Sequence, residues 1–180
     1  MPIIRLAAER DLPAITDLMR WAAEETTATF TIHPRSLEEW SGKWQRSRAF
    51  YPWLVASEGD QFLGFAKSSP FRDNDAYAWT AEVSVYVRPE HHGKGIARDL
   101  YSRLFSQLHL QGYFAAVAVV TSENEGSIRF HERIGMKRTG TLSEVGFKFD
   151  RKLGIVFFEL ALQDSFQKPG PILSVAEAAG

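Results

Sequence analysis

Apolar positions along the chain change period several times, and each change marks an element. Ile3, Ile4 and Leu6 read as a short first strand. Leu12, Ile15, Leu18, Met19 and Ala22 then recur at helical spacing, with Asp11 placed as the N-cap and Pro13 in the first turn. Ser36 with Glu39 three residues on forms a capping box, and Leu37, Trp40 and Trp44 mark the apolar face of a second helix. The polar stretch 24–34 between them carries one conspicuous aromatic, Phe30. Residues 53–57 and 62–67 flank the turn Glu58-Gly59-Asp60 as a hairpin. After the loop 68–77, the segment 79–87 alternates, with Val83, Val85 and Val87 on one face and Glu82, Ser84 and Tyr86 on the other, and ends at Pro89. Ile96, Leu100, Leu104 and Leu108 form a helical stripe opened by the glycines 93 and 95 and closed by Gly112. The nearly unbroken apolar run 114–120 predicts a strand buried on both faces. A short helix over about 126–134 and two strands, 139–147 and 153–162, complete a single α/β domain spanning 1–162. Residues 163–180 hold two prolines and no periodicity, and are expected to be loosely ordered.

Composition removes several functions. With 180 residues, 21 basic against 22 acidic side chains and a net charge of −1, the chain lacks the basic excess of a general nucleic-acid binder. No apolar run approaches the roughly 20 residues of a membrane span, and Arg5, Glu9 and Arg10 interrupt a signal-peptide pattern, so a cytoplasmic location is expected. The absence of cysteine excludes disulfides, thiolate metal sites and a cysteine nucleophile. Of the five histidines, His91 and His92 are adjacent and diverge, while His33 and His109 have no partner pattern, so no metal is expected.

The most informative segment runs Val85-Tyr86-Val87-Arg88-Pro89-Glu90-His91-His92-Gly93-Lys94-Gly95-Ile96-Ala97-Arg98. Glycines just ahead of a helix let the backbone approach a ligand, and the unpaired first-turn N–H groups at the positive end of the helix dipole suit a pyrophosphate. It is neither a Walker A loop, since Gly95 follows Lys94 where Ser or Thr would stand, nor a full dinucleotide fingerprint. A plain tight turn is as good a reading of this segment alone.

The run His92-Gly93-Lys94-Gly95-Ile96-Ala97 resembles the signature of the GNAT N-acetyltransferase family, with His92 where Gln or Arg is usual, and residues 124–136, from Asn124-Glu125-Gly126-Ser127 onward, match that family's second motif. The resemblance implies the GNAT fold, a mixed and mostly antiparallel sheet of six or seven strands flanked by helices, with a parallel pair splayed where acetyl-CoA inserts. It also implies cofactor contacts by Val85, Tyr86, Val87, His92, Gly93, Lys94, Gly95, Ile96, Ala97, Arg98, Asn124 and Ser127. A narrower resemblance, to phosphinothricin and methionine sulfoximine acetyltransferases, rests on residues 51–56, on 76–87, on Phe130-His131-Glu132 and on 146–149. Phe71 stands where these relatives usually have Trp, Asn74 where the herbicide-inactivating ones carry a second basic residue, and Gly154 where an acidic residue is usual.

Acyl transfer to an amine of pKa about 8 to 10 needs a group to accept its proton. Glu82, on the non-valine face of the strand expected beside the cofactor, is the candidate base. His131 stands where many relatives have a Tyr that protonates the departing sulfur, and a buried or surface histidine with one hydrogen bond is an equal reading. A backbone N–H of the 85–87 strand would stabilise the oxyanion. Arg72 is the expected partner of a substrate carboxylate, with Phe30, Phe71 and Tyr77 as walls. Lys94 and Arg98 are phosphate contacts or solvated helix charges. The expected activity is N-acetylation of a small amino acid or analogue by direct attack in a ternary complex, against two rivals, a protein N-terminal acetyltransferase and a non-catalytic acyl-CoA sensor. Relatives of this type pair into homodimers, with Trp40, Trp44 and Trp53 as candidate contacts.

Overall fold

The computed structural model describes residues 2–163 and 169–179. Its strands are β1 (Ile3–Leu6), β2 (Trp53–Glu58), β3 (Gln61–Pro70), β4 (Thr80–Val87), β5 (Ala115–Thr121), β6 (Lys137–Lys148) and β7 (Arg151–Ala161). They form one sheet in the order β1-β2-β3-β4-β5-β7-β6. Every neighbouring pair is antiparallel except β4 and β5, which run parallel and are joined through a helix. The helices are α1 (Leu12–Glu25), α2 (Leu37–Ser47), α3 (Ile96–Gln111) and α4 (Glu125–Arg133). This is the mixed, mostly antiparallel architecture that the family resemblance implies.

Two apolar layers sandwich the sheet. On one face the α3 stripe of Ile96, Leu100, Leu104 and Leu108 packs against Leu54, Ala66, Val83, Ala116 and Phe158. Each fully buried leucine there contributes about 1.5–3 kcal/mol. On the other face Leu12, Ile15, Leu18 and Met19 of α1 and Trp40 and Trp44 of α2 pack against Trp53, Val55 and Phe65. Ser36 caps α2 as expected, accepting from the Glu39 N–H while the Glu39 carboxylate accepts from the Ser36 N–H. In the middle of the sheet a Cβ on Gly64 would lie 2.5 Å from the Tyr86 carbonyl oxygen, so this close approach of β3 to β4 requires glycine.

Several expectations need correction. Asp11 stands at the N-cap position of α1 as expected, but its side chain makes no cap hydrogen bond to that helix. Asp11 ends a single 3₁₀ turn, accepts from the Ala8 N–H at 2.7 Å and grips the Arg5 guanidinium at 2.6 and 2.7 Å, tying β1 to the helix start. The three tryptophans Trp40, Trp44 and Trp53 are buried in the α1–α2 layer and offer no surface for a partner. The apolar run of β5 is covered on one face only: Ala116, Ala118 and Val120 are buried, but Ala115 and Val117 are only half-buried and Val119 is 38% exposed. The α1–α2 layer lies over β2 and β3, leaving this face of β5 and β7 uncovered. The end of the chain is docked where it is described. The Leu173 N–H donates to the Gln111 carbonyl, the Val175 N–H to the Ala49 carbonyl, and the Trp79 indole to the Gly170 carbonyl at 2.7 Å. The part of the expected loose tail at 164–168 lies outside the described residues.

Candidate active site

The site is built where the parallel pair comes apart. β4 and β5 pair only through Thr80↔Ala115, Ala81↔Ala116 and Glu82↔Val117, although β4 runs on to Val87 and β5 to Thr121. Beyond that point β4 stays with β3 as far as Val87↔Gly64, while β5 stays with β7 as far as Thr121↔Ile155. The strands therefore fork immediately after Glu82. The β5-facing edge of Val83–Val87 has no partner strand, so its N–H groups open into the fork.

A cavity of about 80 Å³ fills the fork, lined by Val83, Ser84, Val85, Tyr86, Tyr101, Ala118, Val119, Asn124, Ser127 and His131 among others. It adjoins a cleft of about 1080 Å³ with which it shares Ala28, Val85, Tyr86, Asn124 and Ser127. Of the expected cofactor contacts, Val85, Tyr86, Val87, His92, Gly93, Gly95, Ala97, Arg98, Asn124 and Ser127 line the cleft. Ile96 and Lys94 do not line it. Ile96 is buried in the α3 core, and the Lys94 ammonium lies 3.1 Å from the His91 Nδ1.

The turn before α3 shows why glycine is needed. Gly93 and Gly95 have φ of +77° and +81°, and nothing lies within 4 Å of a Cβ placed on Gly93. Bare backbone thus faces the cleft at the N-terminus of a 16-residue helix, whose first N–H groups have no intrahelical acceptor. This donor set and the cleft volume fit the pyrophosphate and pantetheine arm of a coenzyme A thioester. The His92 ring donates to the Val87 carbonyl at 2.9 Å, which fastens the turn to the end of β4. Asn124 caps α4 by accepting from the Ser127 N–H. Among the described residues no cluster of three or more His, Asp or Glu is placed to hold a metal.

His131 is 4% exposed at the back of the fork. Its Nδ1 lies 2.7 Å from the Ser127 carbonyl, which can only accept, so Nδ1 carries the proton in the neutral ring. Nε2 is then the acceptor for the Tyr101 hydroxyl at 3.4 Å. Burial holds the imidazole below its ordinary pKa despite the hydrogen bond to Ser127. Neutral His131 has no proton to offer the fork, and only its imidazolium can act as an acid. Tyr101, one position off the leucine stripe of α3, is a fork residue that periodicity does not single out; burial raises its pKa well above 10.

The expected substrate-binding residues, Phe30, Phe71, Arg72 and Tyr77, line neither cavity. Phe30 packs on Gly146, where a Cβ would meet its ring at 2.2 Å. The loop carrying it is tied down by Lys148, a buried lysine whose ammonium donates to the Thr26 and Thr29 carbonyls at 2.7 and 2.9 Å. Phe71 and Tyr77 meet edge to face at 5.6 Å, and the Arg72 guanidinium stacks on Phe71 at 4.7 Å in an exposed loop. Gly154 lies under the β6 irregularity between Leu142 and Gly146. A Cβ there would come within 2.7 Å of the Leu142 and Ser143 carbonyls, so this chain has no room for a side chain at that position.

Comparisons with known proteins agree with this architecture. Residues 15–136 match the model of the acetyltransferase (GNAT) family. The chain is 33% identical over 168 residues to a phosphinothricin N-acetyltransferase of Streptomyces viridochromogenes, covering 93% of this chain and 90% of the relative. It is 35% identical over 163 residues to an L-methionine sulfoximine/L-methionine sulfone acetyltransferase of Salmonella typhimurium, covering 89% and 95%. A phosphinothricin acetyltransferase from Sinorhizobium meliloti, solved in complex with acetyl-CoA, superposes with a TM-score of 0.89 at 31% identity, covering 94% of this chain and 93% of that one. Together with the forked parallel pair and the glycine turn, these similarities establish that the chain is an acetyl-CoA-dependent N-acetyltransferase belonging to the GNAT family.

Proposed function

We propose that this enzyme acetylates the α-amino group of a small amino acid or analogue, of the phosphinothricin or methionine sulfoximine and sulfone type, by direct transfer in a ternary complex. The observation that carries the reading is the position of Glu82 as the last paired residue of the β4–β5 ladder, at the point in the backbone where the two strands part. Bound acetyl-CoA supplies a thioester carbonyl for attack. Glu82 accepts the proton of the amine, directly or through water, as the nitrogen bonds to the acetyl carbon. The open-edge N–H groups of Val83–Val87 stabilise the oxyanion, and the C–S bond then breaks to release the thiolate. A thiol of pKa about 8.5 is a fair leaving group, so His131 contributes less as an acid than Glu82 does as a base. With no cysteine in the chain, no acetyl-cysteine intermediate interrupts the transfer.

Arg72 is the proposed clamp for the α-carboxylate, with Phe30, Phe71 and Tyr77 enclosing the side chain. The uncovered sheet face, where Val119 and Leu142 are exposed, is the proposed homodimer contact in place of the buried tryptophans. A thiol-release assay with acetyl-CoA across free amino acids, methionine sulfone, methionine sulfoximine, phosphinothricin and short peptides tests the proposal. Turnover with free amino acids or their analogues and not peptides is expected. Preference for peptides would favour N-terminal acetylation, and binding without turnover would favour a sensor.

A further inference from the structure

The sheet face that carries Glu82 also holds positive charge that no carboxylate meets within ion-pair distance, although Glu82 attracts Lys67 and Glu39 attracts Lys43 from farther off. Lys67 of β3 lies opposite Ser84 of β4 and Trp53 of β2, while the β3 partner of Glu82 is Ser69. Lys67 and Glu82 are thus diagonal neighbours on one face, at a spacing of about 7–8 Å. The N-terminal half of α2 lies over this end of the sheet, with Trp40 edge-on to Trp53 at 5.8 Å. The Arg35 guanidinium, just ahead of that helix, lies 5.7 Å from the Trp40 ring, and Lys43 follows Trp40 by three residues. Among the described residues none of Arg35, Lys43 and Lys67 forms an ion pair or a hydrogen bond. Lys67 is largely enclosed yet keeps an accessible edge, and burial, with repulsion from Lys43 and Arg35, holds its pKa down to about 8 against the pull of Glu82.

A second observation points to the same place. The indole N–H of Trp53, 4% exposed and cross-strand from Lys67, has no acceptor. Buried donors in native proteins are normally paired, so an unpartnered N–H on the residue cross-strand from an unpaired lysine is suited to an oxygen acceptor. A structural lysine on such a face would reach water or find a carboxylate. Lys67 reaches water only along one edge and has no carboxylate within ion-pair distance, Glu82 included.

We infer that Lys67, with Trp53 cross-strand from it and Arg35 and Lys43 on the neighbouring helix segment, receives an anionic oxo group on the side chain of the amino-acid acceptor. The inference rests on the proposed function and names its substrate class: amino acids whose side chain ends in a phosphinate or carboxylate, favoured over neutral counterparts of the same shape. The amino group would meet Glu82 and the α-carboxylate Arg72, leaving the side-chain anion for the diagonal position. The loop around Arg72 cannot supply this charge, since its other ionisable groups are Asp73 and Asp75.

Phosphinothricin and methionine sulfone make a matched probe, since they share chain length and a terminal methyl but carry an anionic phosphinate and a neutral sulfone. Steady-state thiol release by the wild-type enzyme should give a kcat/KM for phosphinothricin at least about tenfold above that for methionine sulfone. Lys67→Gln should lower the phosphinothricin value by about 10–100-fold through KM, leave methionine sulfone within about threefold, and Lys67→Arg should restore the preference. The double variant Arg35→Gln/Lys43→Gln, at positions outside the core, should reduce the same ratio by a smaller factor. A wild-type preference for the sulfone, or equal effects of Lys67→Gln on both substrates, would overturn the inference and leave the acetyltransferase reading intact. Should Lys67→Gln fail to fold, an unchanged ratio in the double variant would overturn it. Absence of turnover with every amino acid would overturn the functional reading and the inference with it.

Discussion

Lys67→Met should make the protein more stable. The folded structure holds the Lys67 ammonium among Lys43 and Arg35 with no hydrogen-bond partner, and its pKa falls from the ordinary 10.5 to about 8. That difference corresponds to about 3 kcal/mol at about 1.4 kcal/mol per pH unit. Because the side chain keeps an accessible edge, screening reduces the penalty to about 1–2 kcal/mol. Methionine matches the stem in length, carries no charge and sits beside Trp53 and Phe65 at no packing cost. The pH dependence follows from linkage. Below pH 8 the lysine is protonated in both folded and unfolded chains, and the full penalty is present. Between pH 8 and 10.5 the folded state has released the proton and the unfolded state has not, so wild-type stability rises relative to the variant. Urea denaturation at pH 6.5 should therefore show Lys67→Met ahead by about 1–2 kcal/mol, and the lead should shrink as pH rises through that window. A variant less stable than wild type at pH 6.5, or a difference that does not change with pH, would refute the claim that this charge is held against the fold's own preference.

Two further outcomes follow from the same site. Gly146→Ala places a Cβ 2.2 Å from the Phe30 ring, so the ring must leave its seat; KM for the amine should rise several-fold in steady-state assays, with about 1–3 kcal/mol lost in denaturant unfolding. His131 is buried neutral with its pKa below the ordinary value, so the unfolded chain gains a proton near pH 6.5 that the folded chain refuses. Wild-type stability should fall as pH drops below about 6.5, by up to about 1.4 kcal/mol per pH unit, and His131→Asn should lose this part of the slope in urea titrations between pH 7.5 and 5.

Much of this architecture was legible because periodicity and turn chemistry agreed. The alternation 79–87 put Glu82 on the face opposite the valines, and the glycines before α3 are where their positive φ values require them. Readings failed where one local pattern serves two environments. The β5 run is equally apolar whether one face or both are covered, and only the extent of the α1–α2 layer decides that. Asp11 suits an N-cap by type, but the two-pronged bond to Arg5, six residues away, draws its side chain to the preceding turn. The non-periodic tail docks through backbone bonds to Ala49 and Gln111, which no side-chain pattern records. Lys67 is the last residue of the 62–67 hairpin strand in the sequence and carries no motif there; its significance lies in Trp53, Glu82 and α2, which come together only in the folded sheet. Tyr101 was hidden for the same reason, since its partner His131 is thirty residues away.

Glu82 is the last paired residue before β4 and β5 part and the proposed general base. Glu82→Gln keeps the shape of the side chain and removes its capacity to accept a proton, and turnover and acetyl-CoA binding can be measured on the same preparation. We predict that kcat falls by about 10²–10³-fold at neutral pH, that the remaining activity climbs with pH as the amine deprotonates unaided, and that the acetyl-CoA Kd is unchanged. Full turnover by Glu82→Gln with a wild-type pH profile would contradict the account.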